Sequence, residues 1–206
     1  MEIGLFPLGT VLLPTEQIPL HIFEPRYREL IGECIDEERE FGLILADEEG
    51  LREVGTRAAV TEVLERFDDG RMNIVVEGRE RFRLVELTSG RSFQTGEVEA
   101  LPDLGADPQP GEVDRALTLL RRLGEIAGAD VEDLAVQSDV PSFELAARVA
   151  FDAERKQRLL ELRSEPERLE TLAGFLERAA QVLEFQRAGN AIAQTNGKVT
   201  PPKSSS

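Results

Sequence analysis

Tryptophan is absent from this 206-residue chain, and histidine, tyrosine and cysteine occur once each, as His21, Tyr27 and Cys34. A lone cysteine closes no internal disulfide, and without a second cysteine there is no thiolate pair for a metal. No metal and no cofactor are therefore expected, and the cysteine usage points to the cytoplasm. Lysine is nearly missing. The first is Lys156, with no glycine pattern before it of the kind a phosphate-binding loop requires, and Lys198 and Lys203 follow only near the C-terminus. P-loop ATP hydrolysis is excluded on that ground, and no serine lies in the setting of a nucleophile elbow or a Ser–Lys dyad. Positive charge is scarce as well: 24 Lys and Arg stand against 40 Asp and Glu, a formal net charge of -16. A protein that neutralises phosphates shows the opposite balance, so no nucleic-acid partner is expected. Nowhere do about 18 apolar residues run on uninterrupted. The opening Met-Glu-Ile-Gly-Leu-Phe-Pro-Leu lacks a basic leader before a long apolar run, so neither secretion nor a membrane is expected.

What is present is enough to fold, since 41% of the residues are hydrophobic and the length supports one large core or two small ones sharing it. From Ile3 to Leu101 the text consists of short β-like runs with Gly, Pro and acidic punctuation: IGLF, TVLL, QIPLHI, FGLILA, RAAVTEVLERF, MNIVVEG, RFRLVEL and FQTGEVEAL. These predict a twisted sheet or partly closed barrel. Phe67-Asp68-Asp69-Gly70 predicts a hairpin turn, because Asp-Gly tolerates positive φ. Gly78 reads as a turn or bulge, plain punctuation between apolar runs.

One helix interrupts this half. Tyr27, Leu30, Ile31, Cys34 and Ile35 recur at helical spacing, and Pro25 suits the first turn, where its missing N–H has no helical partner. Beyond Leu101 a Pro/Gly/Asp-rich linker, residues 102–111, leads into helical text over 112–188. There Val113, Ala116, Leu117, Leu120 and Leu123 form one stripe. Ser142 reads as the N-cap of a helix through Phe143, Ala146, Ala147 and Ala150 that can run on to Glu161. Ser164 caps a further helix carrying Leu169, Leu172, Ala173, Leu176, Ala180 and Leu183. Residues 189–206 are expected to be a disordered tail. The fold class is thus α+β: a β-rich subdomain with one helix over 1–101, then a helical bundle.

The stretch His21-Ile22-Phe23-Glu24-Pro25-Arg26-Tyr27-Arg28 concentrates polar and aromatic groups. It reads as the joint between a strand and a helix: His21 a hydrogen-bonded boundary residue, Arg26 and Arg28 paired with carboxylates, and Cys34 a buried, inert thiol on the helix stripe. No catalytic residue is assigned. Phe67, beside the hairpin turn, and Phe93, placed by strand alternation on a face with Thr95, Glu97 and Glu99, are the candidate peptide contacts. Each also reads as edge-of-core packing.

In order along the chain, LFPL at 5–8, VLLP at 11–14, PLHIFEPRYR at 19–28, FGLIL at 41–45, GRERF at 78–82 and KQRLLE at 156–161 resemble the N-terminal substrate-binding domain of Lon-type ATP-dependent proteases. The resemblance implies a β-rich subdomain followed by a helical one, and makes His21, Phe23, Glu24, Pro25, Arg26, Tyr27, Gly78, Arg81 and Phe82 structural signature positions. It implies a non-catalytic module that binds exposed hydrophobic segments of unfolded or client polypeptides, because the ATPase and Ser–Lys peptidase domains that follow in the proteases are not in this sequence. The alternative is an adaptor or assembly factor for one partner, such as a protease or chaperone. A homo-oligomer is compatible with either. The cleft between the two halves is the expected groove.

Overall fold

The computed structural model describes residues 1–105, 107–131 and 134–196, with side chains through residue 188. Its strands are β1 (Glu2–Leu8), β2 (Gln17–Ile22), β3 (Phe41–Asp47), β4 (Gly50–Arg66), β5 (Met72–Thr88) and β6 (Thr95–Ala100). They form one sheet in the order β2-β5-β4-β3-β1-β6, with a further pairing between β5 and β6. β1 and β3 run parallel, Leu5 opposite Gly42, and the connection between them carries helix α1 (Pro25–Asp36). β5 is long enough to serve two partners. Its first half pairs with β2 and its second with β6, Leu84 facing Val98. The sheet therefore bends back on itself without becoming a clean barrel.

Two strand expectations change. Val11, Leu12 and Leu13 are buried in a loop, not a strand, because side chains take up their backbone groups. Thr56 Oγ1 donates to the Leu12 carbonyl at 2.6 Å, and the Leu13 N–H donates to Glu16 Oε2 at 2.9 Å. The runs at 72–78 and 81–87 are one strand with a bulge just past Gly78. The register shifts there between Thr56 and Ala58 of β4, the Gly78 N–H donates to the Glu16 carbonyl at 2.9 Å, and the Gly78 carbonyl accepts from Thr15 N–H at 2.8 Å. A Cβ at Gly78 would overlap the Leu13 carbonyl oxygen. The glycine is thus required by the close approach of the 11–16 loop.

The remaining helices are α2 (Pro110–Ala127), α3 (Pro141–Ala146), α4 (Ala153–Glu161) and α5 (Glu165–Asn196). α2 begins in a capping box between Gln109 and Glu112 and ends at Gly128, whose φ of 77° closes the helix in a left-handed turn. The helix expected from Ser142 towards Glu161 is instead two. Val140 caps α3, with Pro141 in its first turn, and Asp152 starts α4 afresh by accepting from Arg155 N–H at 2.8 Å. Ser142 is then free for another role. Ser164 Oγ accepts from Glu167 N–H at 3.4 Å at the start of α5. That helix continues to Asn196, past the Gly189 at which the sequence suggests a tail, and residues 197–206 lie outside the described residues.

Three apolar clusters hold these elements. Tyr27, Leu30, Ile31 and Cys34 of α1 pack with Phe41, Met72, Ile74 and Val76. Leu5, Ile44, Phe82 and Val98 fill the inside of the curled sheet, where a Cβ at Gly42 would come within 2.9 Å of the Phe82 ring. The largest cluster joins Val11, Leu13, Leu45, Val54 and Leu101 to Leu120, Phe143, Leu159, Leu169 and Leu176, so one core runs from the sheet into the helices.

Candidate functional site

Two groups of charged and aromatic residues stand out, one sealed and one open. The sealed one joins sheet to helices. Arg168 of α5 is 0% exposed. Its Nε donates to Ser142 Oγ at 2.7 Å, its Nη1 to the Leu162 carbonyl at 2.7 Å and to Asp103 Oδ1 at 2.9 Å, and its Nη2 contacts Asp103 and Glu165. Ser142 Oγ in turn donates to Glu165 Oε2 at 2.7 Å. Arg81 of β5 donates to the carbonyls of Leu160 and Leu162 at 2.7 and 2.6 Å and pairs with the same Asp103. Burial pulls the Arg81 guanidinium down from its ordinary range. For Asp103 burial pushes upward, but Arg168 and Arg81 together outweigh it and hold the carboxyl below its ordinary value. Lys156 and Gln157 extend the joint: Lys156 pairs with Glu16, and Gln157 Nε2 donates to the Val54 carbonyl at 3.1 Å. Every strong donor here is consumed internally, as buried charge demands.

Beside this joint lies the cleft expected between the strands and the last helices, about 760 Å³, its helical wall made by Val140 and Phe143. Its other wall combines apolar groups, Pro14, Leu101 and Pro102, with charges that pair among themselves. Arg57 contacts Glu40 at 2.7 Å and Glu80 at 3.1 Å, and Arg79 contacts Glu77 at 2.6 Å.

The open group lies at the far end of β2. Strand alternation turns Ile22 into the core and His21 outward, and Phe23 follows at the bend before α1, 59% exposed. The His21 ring stands 5.9 Å from Phe23, nearly parallel, and 6.2 Å from Phe67, edge-on. Phe67 is half-buried in the β4–β5 turn, where its N–H donates to the Arg71 carbonyl at 2.9 Å and Gly70 takes a φ of 85°. Arg71 lies 5.1 Å over the Phe67 ring and is held by Asp69 at 2.7 Å; the Arg71 N–H helps keep the Asp69 carboxyl below its ordinary value. His21 Nδ1 meets Asn73 Oδ1 at 2.6 Å, and Arg28 reaches from α1 to the Asp69 carbonyl. Strand end, helix start and hairpin tip are thus tied into one corner with three rings on it.

The other sequence candidates fall as follows. Glu24 pairs with Arg26 at 2.9 Å, Pro25 opens α1, and the Tyr27 ring is buried, stacked on Phe6 at 4.1 Å with Arg26 4.4 Å over it. Phe82 is core. Phe93 is corrected: it precedes β6 rather than lying in it, so strand alternation does not govern it. The side chain is 6% exposed and packs in the α1 cluster, with Arg91 4.7 Å over its ring. Only a small part of the side chain remains at the surface, beside Arg91 and Thr95. Phe23, expected to be structural, is the exposed residue sequence reasoning missed, and its place just past the last inward residue of β2 is the signal that marks it. Cys34 is buried, which pushes its thiol up to about 11 and keeps it from acting as a nucleophile at neutral pH. Among the described residues no group of acidic, histidine or cysteine side chains could hold a metal, and no helix is long and apolar enough to cross a membrane.

This fold is that of a known class of module. The family model of the ATP-dependent protease La (LON) substrate-binding domain matches residues 2–178, and the chain belongs to that family. Among relatives, the Lon protease of Paraburkholderia phytofirmans is 27% identical over 209 residues, covering 93% of this chain and 26% of the relative. Lon protease 2 of Syntrophobacter fumaroxidans is 26% identical over 206 residues, covering 89% and 25%. The chain spans about a quarter of the length of these relatives. The crystal structure of a Lon N-terminal domain protein from Xanthomonas campestris matches with a TM-score of 0.66 at 26% identity, over 84% of this chain and 98% of that one. The N-terminal domain of Mycobacterium avium complex Lon protease matches at 0.69 and 19% identity, over 86% and 98%, a likeness of fold.

Proposed function

We propose that this chain is a non-catalytic binding module that takes exposed hydrophobic segments of unfolded or client polypeptides on the corner formed by His21, Phe23 and Phe67. The observation that carries this reading is the placement of three rings on one corner. Phe23 is largely exposed although the neighbouring Ile22 and Tyr27 are buried, and rings held by a hairpin and a helix start offer apolar area at little cost in side-chain ordering. A net charge of -16 over the whole chain favours the approach of basic or amphipathic clients over acidic ones. Phe93 has no part in it.

The test is crosslinking with mass spectrometry in native extract, with the purified chain as bait and a Phe23→Ala/Phe67→Ala variant as control. Many unrelated clients lost in the variant support the reading. One dominant partner retained by the variant overturns it in favour of an adaptor.

A further inference from the structure

The helical face opposite the sheet carries a second groove of a different character. It lies between α2, α5 and the connection from α3 to α4, with a volume of about 640 Å³ and a floor that includes Leu120, Leu123 and Phe175. In a chain with 40 acidic residues, the lining of this groove contains Arg148, Arg155 and Arg178 and no carboxylate. Arg155 and Arg178 both lie over the Phe175 ring, at 5.9 and 5.3 Å. Arg148 is engaged by Glu144 at 3.0 Å and by the Ala135 carbonyl at 3.0 Å, and Arg155 pairs with Asp152. Arg178 forms no ion pair among the described residues.

The groove continues onto bare helix surface. Val182 lines it and is 56% exposed, and Phe185 is 82% exposed. With Arg178 these positions fall at i, i+4 and i+7 on α5, one face with a cation at one end and two uncovered apolar side chains beyond it. Small side chains at Ala127 and Ala179 in the lining let a second helix approach closely. An apolar floor beside Arg178, a cation with no ion pair among the described residues, selects an occupant that is apolar on one side and acidic beside it.

We propose that this groove docks an amphipathic helical segment of a partner protein, with apolar residues at i, i+3/i+4 and i+7 and Asp or Glu flanking them. This goes beyond the client reading, because it uses another surface and prefers the opposite charge. A second copy docked through this same face is disfavoured as occupant, because it would set Arg178 of one molecule against the basic lining of the other.

The test is fluorescence anisotropy on the full chain with a labelled synthetic amphipathic helix bearing Leu at the stripe and Glu beside it, against the same peptide with Lys for Glu. The acidic peptide is expected to bind about tenfold more tightly than its basic twin. Arg178→Glu is expected to weaken it about tenfold, because an attractive pair becomes a repulsive one. Val182→Ser/Phe185→Ser, both exposed and so compatible with folding, is expected to weaken it too, while Phe23→Ala/Phe67→Ala leaves it unchanged. Equal or better binding of the basic peptide, or no binding at all, overturns the proposal. Loss in the Phe23/Phe67 variant alone also overturns it, assigning the peptide to the aromatic corner and leaving the client reading intact. So does a dimer in sedimentation that Arg178→Glu dissolves without any peptide binding, since the occupant is then a second copy.

Discussion

The corner around His21 and the joint around Arg168 are built from the same parts and differ in burial. In each a guanidinium lies over a ring: Arg71 is 5.1 Å from Phe67 at the corner, and Arg168 is 4.1 Å from Phe143 in the joint. At the corner the ion pairs are wet, where such pairs contribute roughly 0–1 kcal/mol, and the rings remain available to a ligand. In the joint Arg168 has no exposure and its partners are spent on it, so the charges fasten β5, the 102–105 segment and α5 together and can bind nothing else. Burial, rather than residue type, separates the corner proposed to bind from the joint. The resemblance, by contrast, marks positions in both regions alike.

The largest effect should come from breaking the joint. Arg168→Ala leaves the buried Glu165 without its cation and Asp103 with Arg81 alone, and a loss of about 3–5 kcal/mol of stability is expected in denaturant unfolding; Arg71→Ala at the corner should cost less than about 1 kcal/mol. Equal losses would erase the distinction between the two regions. Next come the phenylalanines. Phe93→Ala should destabilise by about 3–5 kcal/mol as a buried ring removed from the α1 cluster, whereas Phe23→Ala should stay within about 0.5 kcal/mol of the parent and reduce client capture. A stable Phe93→Ala chain that fails to capture clients would return that residue to the binding surface.

A smaller effect is the pH dependence of the joint. Asp103 is held below its ordinary value of 3.8 in the folded chain, so its contribution is fully present above that value. It is lost as pH falls from there through the lower folded value, because the unfolded chain takes up the proton first. Glu144, whose carboxyl accepts from the Gln137 and Ser138 N–H groups, is held low in the folded chain and has the same sign. Stability measured against pH should therefore fall more steeply below about pH 4 than in Asp103→Asn, whose own curve should be flatter there. The smallest effect concerns Cys34: an alkylating reagent at neutral pH should label the folded chain far more slowly than the unfolded one, because the thiol is buried and its pKa lies near 11. Equal rates would place it at the surface.

Much of the architecture was legible because it is local. The stripe from Tyr27 to Cys34, the Pro25 start and the Asp-Gly hairpin depend on neighbours within a few residues, and each appears in the structure. What could not be read depends on partners far along the chain. Gly78 looks like punctuation until the 11–16 loop is laid against it, and Val11–Leu13 look like a strand until Thr56, Glu16 and Lys156 claim their backbone. Ser142 looks like a cap until Glu165 and Arg168 take its hydroxyl. The proposed site was half legible. Phe67 was placed beside its turn, where it lies, but Phe93 was misplaced by extending strand alternation beyond the start of β6, and Phe23 was read only as a structural signature position.

The central claim is that clients bind the open corner and that the sealed joint only holds the fold. The most direct measurement is suppression of aggregation of several unrelated denatured proteins by the parent chain and by Phe23→Ala/Phe67→Ala, with thermal unfolding measured alongside. The account predicts suppression by the parent, its loss in the variant and unfolding temperatures that nearly coincide. Suppression unchanged in a fully folded variant would contradict it.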